Sequence, residues 1–323
     1  MIESAPIESA PLTPSLGPGA AVLAFDVGGT DMKAALIDET GRMLELERVR
    51  TPVSATGGVD EIFDEIGRLA TVFGARHPSL IPRAGGLLVP GYVDDDSGVG
   101  VFSENLGWHD VPFRDRASAL LGMPVAFSHD VRGAGEAEYR LGAAAPFSDV
   151  VVMAIGTGIA GAIFLSGAIH VGGGLAGEMG HSIVADGPDC ACGGRGCLEA
   201  VASAGAIARR YNALTGQSVP GAKEVLERAA AGDPDANAVW ESALDALALD
   251  LSHTVALLAP EAIVLGGGLA NAGDRLFEPL RQRLDAILTF QKRPLLLPAS
   301  IGENAGVIGA ALKARDLLGT AGT

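Results

Sequence analysis

The sequence predicts an α/β protein of two lobes, each built on a mixed sheet that opens with a glycine hairpin. Three observations lead there. A chain of 323 residues is too long for one small core and suits lobes of about 100 to 200 residues each. A continuous apolar strand that runs into a glycine turn and a second strand occurs twice, and strand-like and helix-like segments alternate after the first. With 48% hydrophobic residues, 45 glycines and three cysteines, the composition is that of a globular chain with many tight turns, neither disordered nor stapled by disulfides.

Residues 1–20 carry Pro6, Pro11, Pro14 and Pro18 among Ser, Ala and Gly, and read as a disordered leader too short for a DNA-binding module. An N-terminal α/β lobe is expected over 21–138. Its first strand, Ala21 to Phe25, enters Asp26-Val27-Gly28-Gly29-Thr30. Ala34 to Ile37 resumes an apolar strand, and Glu39-Thr40-Gly41 supplies the next turn. Met43 to Val49 alternates Leu44 and Leu46 with Glu45 and Glu47, as a half-solvated third strand does. Val59, Ile62, Phe63, Ile66, Leu69, Ala70 and Phe73 recur at three and four residues, which places them on one face of a core helix. Gly86 to Val89 and Val125 to Phe127 read as short buried strands, separated by a loop and a helical stretch near Arg114 to Leu121.

The second lobe is expected over 139–300. Val150 to Ile155 runs into Gly156-Thr157-Gly158, and the strand Ala162 to Leu165 and a Ser166-Gly167 turn follow. The offset that carries Gly28 to Gly156 also carries Ala35-Leu36-Ile37 onto Ile163-Phe164-Leu165, so the match continues through the turn and indicates duplication. Two duplicated lobes with hairpin-containing mixed sheets constitute the actin-like or hexokinase-like (ribonuclease H-like) ATPase fold. A closing helix over 301–323 is expected to pack back on the N-terminal lobe.

Charge narrows the function. The 39 acidic and 23 basic residues leave a net charge of -16, which repels nucleic acid and anionic membranes over a Debye length. No Lys or Arg precedes Lys33, and no uncharged apolar run reaches membrane-spanning length, so a cytoplasmic protein is expected. An anionic ligand must then rely on backbone amides, helix N-termini or a metal. Gly28 and Gly29 allow backbone N–H groups to approach a phosphate, Asp26 at the strand end can hold a magnesium ion through water, and Thr30, Asp31 and Lys33 lie just beyond. Gly156, Thr157 and Gly158 repeat the turn. Gly266-Gly267-Gly268, after the strand Ala262 to Leu265, leaves room for a flat ligand such as adenine or ribose beside the backbone. Together they outline an ATP site.

All three cysteines fall in Cys190-Ala191-Cys192-Gly193-Gly194-Arg195-Gly196-Cys197, with His181 upstream. An odd number argues against a disulfide pair, and thiolates this close suit a tetrahedral Cys3His zinc site. With four protein ligands and no open position, such zinc is structural.

The run Gly177-Glu178-Met179-Gly180-His181-Ser182-Ile183-Val184, then Gly187 and the cysteine segment through Leu198-Glu199, closely resembles the signature of the ROK family of repressors, open reading frames and kinases. The resemblance extends from residue 21 to 315. It implies a sugar kinase that uses ATP and magnesium, in which Glu178 and His181 reach sugar hydroxyls and Glu199 holds the anomeric end of the ring. In Ser128-His129-Asp130 it implies that Asp130 is the general base toward the sugar 6-hydroxyl. The family usually has Asn, which contacts ring hydroxyls, where this chain has His129; a neutral histidine, with one donor and one acceptor, is expected to bind the sugar with Asp130 or else to reshape the pocket, a departure that puts glucose in doubt more than kinase activity. Asn105, in Glu104-Asn105-Leu106-Gly107-Trp108, and Gly91 match loops near the sugar. Glucose leads among the implied substrates, with N-acetylmannosamine, N-acetylglucosamine, mannose or fructose behind. Relatives are often dimers, so a homodimer is expected. The family's sugar-sensing regulators carry a DNA-binding module before the first strand, and here only the short leader precedes it.

Overall fold

The computed structural model describes residues 14–52, 59–103 and 106–320. The first apolar run forms β1 (Val22–Val27), which turns into β2 (Asp31–Ile37) and β3 (Met43–Arg50) as an antiparallel meander. Helix α1 (Asp60–Arg76) buries Ile62, Phe63, Ile66, Leu69 and Phe73, the periodic face of the sequence. β4 (Ala84–Val89) then pairs parallel with β1. The loop expected next is instead a three-stranded antiparallel sheet, β5 (Tyr92–Asp94), β6 (Val99–Ser103) and β7 (Trp108–Val111). It is held by the buried Trp108, whose ring meets Phe113 edge-on at 4.9 Å. α2 (Phe113–Leu121), β8 (Val125–His129) and α3 (Asp130–Leu141) complete the lobe.

The second lobe opens with β9 (Val150–Ile155), β10 (Ile159–Leu165) and β11 (Ala168–His170). Helices α4 (Leu198–Ala202), α5 (Ala204–Thr215), α6 (Ala222–Ala230) and α7 (Pro234–Leu258) follow, then β12 (Ala262–Gly266), α8 (Asp274–Ile287) and β13 (Leu295–Pro298). Strand order is β3-β2-β1-β4-β8 in one sheet and β11-β10-β9-β12-β13 in the other. Each sheet thus has an antiparallel hairpin arm and a parallel arm, the duplicated α/β architecture expected from the sequence. The offset that relates Gly28 to Gly156 carries the bounds of β1 and β2 onto those of β9 and β10.

The final helix, α9 (Ala305–Thr320), leaves the second lobe and packs Val307, Ala310, Ala311 and Ala314 on Val22, Ala24, Ala35 and Leu88 of the first sheet. Glycine permits this close approach: a side chain on Gly86 would collide with the Ala310 carbonyl, and one on Gly309 with the Gly133 carbonyl of α3. The buried carboxylate of Glu138 on α3 ties both crossings between the lobes. It accepts from the N–H groups of Ala143 (2.9 Å), Ser300 (3.2 Å) and Ile301 (2.7 Å).

Of the residues expected to form the leader, 1–13 lie outside the described residues and 14–20 are held in the fold. Residues 14–20 lie against the β2–β3 turn, with Leu16 N–H on the Gly41 carbonyl (3.0 Å), and Arg315 of α9 donates to the Gly17 (2.6 Å) and Ala20 (3.0 Å) carbonyls. Among the described residues no helix is long and apolar enough to cross a membrane.

Candidate functional site

In open sheets with parallel strands, ligands bind beyond the carboxyl ends of those strands. β1, β4 and β8 end side by side, with Asp26 paired to Leu88 and Val89 to His129. Asp26, Gly91 and Asp130 therefore gather at one edge. In the second sheet β9 and β12 end together, Gly266 beside Ala154. There a side chain on Gly267 (φ 79°) would collide with the backbone of Ile155, so the Gly266-Gly267-Gly268 turn lies close against the end of β9, just before Gly156.

The first hairpin is closed by Gly28 N–H on the Asp31 carbonyl (3.0 Å) and braced by Thr51, whose hydroxyl donates to the Gly28 carbonyl (2.6 Å) and whose N–H donates to the Thr30 carbonyl (2.9 Å). Nothing stands over Gly29. Asp31 and Lys33 already have partners: Asp31 accepts from Arg48 (2.9 Å), and the Lys33 ammonium donates to the Glu303 carbonyl beside the start of α9. The Asp26 carboxylate lies against Gly306 in the first turn of α9, where any side chain would strike it. Burial and the neighbouring Asp130 charge push Asp26 up to about 7, with Lys33 pulling the other way.

Asp130 is the first residue of α3, and 24% of its side chain remains exposed. Burial raises it to about 6, against the opposing pull of the Val131 N–H and the Arg132 charge. His129 is the helix N-cap. Its Nδ1 accepts from Val131 N–H (3.2 Å), which leaves the proton on Nε2, facing Asp130 Oδ1 at 3.3 Å. One ring nitrogen is thus engaged by the helix end, and Nε2 lies beside the Asp130 carboxylate. Burial and the Arg132 charge press His129 down to about 4, so it is neutral at physiological pH.

Glu178 and His181 sit on a tight turn laid across β10. Gly161 N–H donates to the Gly177 carbonyl (2.7 Å), and a side chain on Gly177 (φ 95°) or Gly180 would collide with the Gly161 or Ile159 carbonyl. His181 Nε2 lies 3.9 Å from Glu178 Oε2. Glu199, in the first turn of α4, accepts from Ile159 N–H (2.9 Å) and covers Gly158, so this carboxylate also secures the second glycine turn. Gly91 (φ 97°) admits no side chain because Phe102 O stands in its place, so it can offer a ligand only backbone. Asn105 lies outside the described residues.

The donor atoms of His181, Cys190, Cys192 and Cys197 all lie within 4.8 Å of one another. Cys192 and Cys197 sulfurs are 3.6 Å apart, and Cys190 Sγ is 3.7 Å from His181 Nδ1. Sulfur ligands about 2.3 Å from a tetrahedral zinc stand about 3.8 Å apart, so the four residues fit zinc. Bridges between Ile183 and Cys197 and between Asp189 and Arg195 close the loop. Burial pushes the Cys197 thiol up to about 12, a penalty that a bound divalent ion would reverse.

Sequence reasoning passed over Arg132, Asp95 and Glu138. Nothing in the sequence distinguishes a buried charged residue of an amphipathic helix from a solvated one.

The model of the ROK family matches residues 22–316. The glucokinase of Thermotoga maritima is 31% identical over 316 residues, covering 92% of this chain and 98% of that protein. Among solved structures, the ROK hexokinase of Thermus thermophilus superposes with a TM-score of 0.80 at 32% identity, covering 93% of this chain and 99% of that one. The ROK family glucokinase of Streptomyces griseus, in complex with glucose and AMPPNP, gives 0.76 at 32% identity, covering 92% and 100%.

Proposed function

This chain belongs to the ROK family, and from that premise we propose that it transfers the γ-phosphoryl group of ATP to the 6-hydroxyl of a hexose, glucose first, with Asp130 as general base. The observation that carries this reading is the gathering of two carboxylates held above their usual range, Asp26 and Asp130, at the strand ends, facing the turn that bears Glu178. At about 6, Asp130 is a stronger base than an ordinary carboxylate yet mostly ionised at pH 7.

The sugar would lie between the two lobes, its hydroxyls on Glu178, His181 and Glu199 and the backbone of Gly91, and its 6-hydroxyl toward Asp130. As that oxygen attacks the γ-phosphorus, Asp130 takes its proton and ADP departs. Magnesium arriving with ATP would neutralise charge at the phosphates, and Asp26 would hold it through water. Gly28, Gly29, Thr30 and the turn at Gly156, Thr157 and Gly158 would cradle phosphates with backbone N–H groups, with adenosine along Gly266, Gly267 and Gly268. Asp31 and Lys33 act through the shape of the first hairpin, since Arg48 and Glu303 already engage them. His181, Cys190, Cys192 and Cys197 would hold a structural zinc that fixes the Glu178 turn and, through Cys197, the start of α4 with Glu199. Closure of the lobes would exclude water and suppress wasteful hydrolysis of ATP. Such an enzyme would work in the cytoplasm, where its ATP is, and as a homodimer like many of its relatives.

One observation favours a second sugar class. His129 is larger than the Asn usual in the family, and its Nδ1 is engaged by Val131 N–H, so it cannot reproduce an amide's contacts to a ring hydroxyl, which disfavours strict glucose recognition and favours N-acetylmannosamine or N-acetylglucosamine as alternatives. ADP release measured across glucose, mannose, fructose and the two N-acetylhexosamines ranks them, and absence of turnover on the whole panel contradicts the kinase reading.

A further inference from the structure

We propose that Arg132 is a positioning residue that locks the helix carrying Asp130 to the turn carrying Glu178 and His181, and so sets the spacing between base and sugar clamp. Its kinetic consequences rest on the hexose kinase reading; its structural consequence does not.

Arg132 lies on α3 just beyond Asp130, with only 2% of its side chain exposed. A guanidinium so deeply placed is tolerated only with partners. Its Nη2 faces Asp95 Oδ1 at 3.2 Å and Oδ2 at 3.1 Å, and its Nη1 donates to the Gly174 carbonyl at 3.0 Å. Three separate pieces of the site therefore converge on one cation: α3, the turn between β5 and β6, and the Gly172-Gly173-Gly174 turn of the second lobe. Among the described residues, Arg132 Nε has no partner.

The glycine turn is shaped for this docking. Gly172, Gly173 and Gly174 have φ of 55°, 66° and 90°, which suit glycine alone without strain. A side chain on Gly174 would collide with the Val93 carbonyl, and Tyr92 donates its hydroxyl to the Gly173 carbonyl at 3.4 Å. The segment from Gly174 to Glu178 is thus held at one end by Arg132 and at the other by Gly161, through its bond to Gly177. β5, which supplies Tyr92 and Val93, starts beside Gly91, at the end of the strand next to His129. A shift at Arg132 would move the sugar turn relative to Asp130 while leaving the glycine turns of the nucleotide side in place.

Arg132 also acts by charge. It favours the ionised form of Asp130 and opposes protonation of His129, while Asp95 and Glu178 favour that protonation and Asp26 faces Asp130 from β1. Removing the guanidinium charge therefore raises the Asp130 pKa and moves the acid limb of activity to higher pH. A purely structural contact would leave that limb unmoved.

The test uses the full chain with Arg132→Met, Arg132→Lys and Asp95→Asn. We expect Arg132→Met to raise the hexose KM by about tenfold or more with the ATP KM within about twofold, and to move the acid limb of kcat/KM upward. Arg132→Lys and Asp95→Asn, which keep a cation, should raise the hexose KM with the limb in place. Amide hydrogen exchange over residues 172–178 should quicken in all three. Wild-type hexose KM and exchange in the variants, equal rises in the two KM values, or an unmoved limb in Arg132→Met would overturn the proposal. If Arg132→Met fails to fold, the lysine and asparagine variants decide through KM and exchange. A wild-type protein inactive on every hexose removes the kinase reading alone, and exchange over 172–178 then decides the junction: unchanged rates overturn it.

Discussion

The two glycine hairpins have matching strand bounds but different contents, and the difference shows how a duplicated fold divides its work. In the first, Asp26 pairs across the strands with Lys33, and Asp31 joins Arg48. At the matching positions of the second stand Ala154, Gly161 and Ile159, all uncharged. Pairing differs too: Val27 opposes Met32 in the first and Ile155 opposes Ile159 in the second, so the second turn is one residue shorter. Without charged side chains at these positions, the second hairpin becomes a platform. Gly161 N–H donates to the Gly177 carbonyl, Ile159 N–H donates to the Glu199 carboxylate, and the absent side chain at Gly158 makes room for that carboxylate. On the proposed reading, the first hairpin would bring charge to the reaction and the second would carry the turn of Glu178 and His181 that meets the sugar.

Substitutions can break that division on either side. The largest effect is expected at Asp130, beside the charged hairpin: Asp130→Asn should lower kcat by about 10³-fold with little change in hexose KM, measured by coupled ADP release. Asp26→Ala, which gives the first hairpin the residue of the second, should cost about 10²-fold in kcat and raise the magnesium concentration needed for half-maximal rate. On the platform side, Cys190→Ser should release zinc, measured by metal analysis, and raise the hexose KM by about tenfold while lowering the melting temperature. Gly177→Ala meets both the positive φ and the Gly161 carbonyl. It should destabilise the fold by about 1–3 kcal/mol, read by denaturant unfolding, and raise the hexose KM more than the ATP KM. If Gly177→Ala instead harmed the ATP KM first, the division between the hairpins would be wrong.

Much of this was legible because local signals and tertiary structure agree. The apolar runs that became β1, β4, β8, β9 and β12 are buried in parallel pairings, where a continuous hydrophobic strand is what the sheet requires. The β5–β7 sheet escaped because its strands are short, and its core residues Val93, Trp108 and Val111 lie among Gly, Asp and Ser that read as loop. Residues 14–20 escaped because prolines conceal what holds them, a side chain from the other end of the chain, Arg315. In the site, the cysteine cluster was legible because its ligands are close in sequence. His129 was visible as an anomaly, but its engagement with Val131 and Asp130 depends on how α3 begins. Arg132 was invisible because Asp95 and Gly174 are distant in sequence and only the fold brings them to it.

The most direct test of Asp130 as the base is the pH dependence of kcat/KM for the best hexose, in the wild type and in Asp130→Asn. A base must be ionised, so, at saturating magnesium that keeps the Asp26 protonation near 7 from limiting, kcat/KM should fall about tenfold per unit as pH drops below about 6, where Asp130 takes a proton. The residual activity of Asp130→Asn should lack this limb. A wild-type profile flat from about pH 5 to 8, or a variant that keeps both the limb and the wild-type rate, would contradict the account.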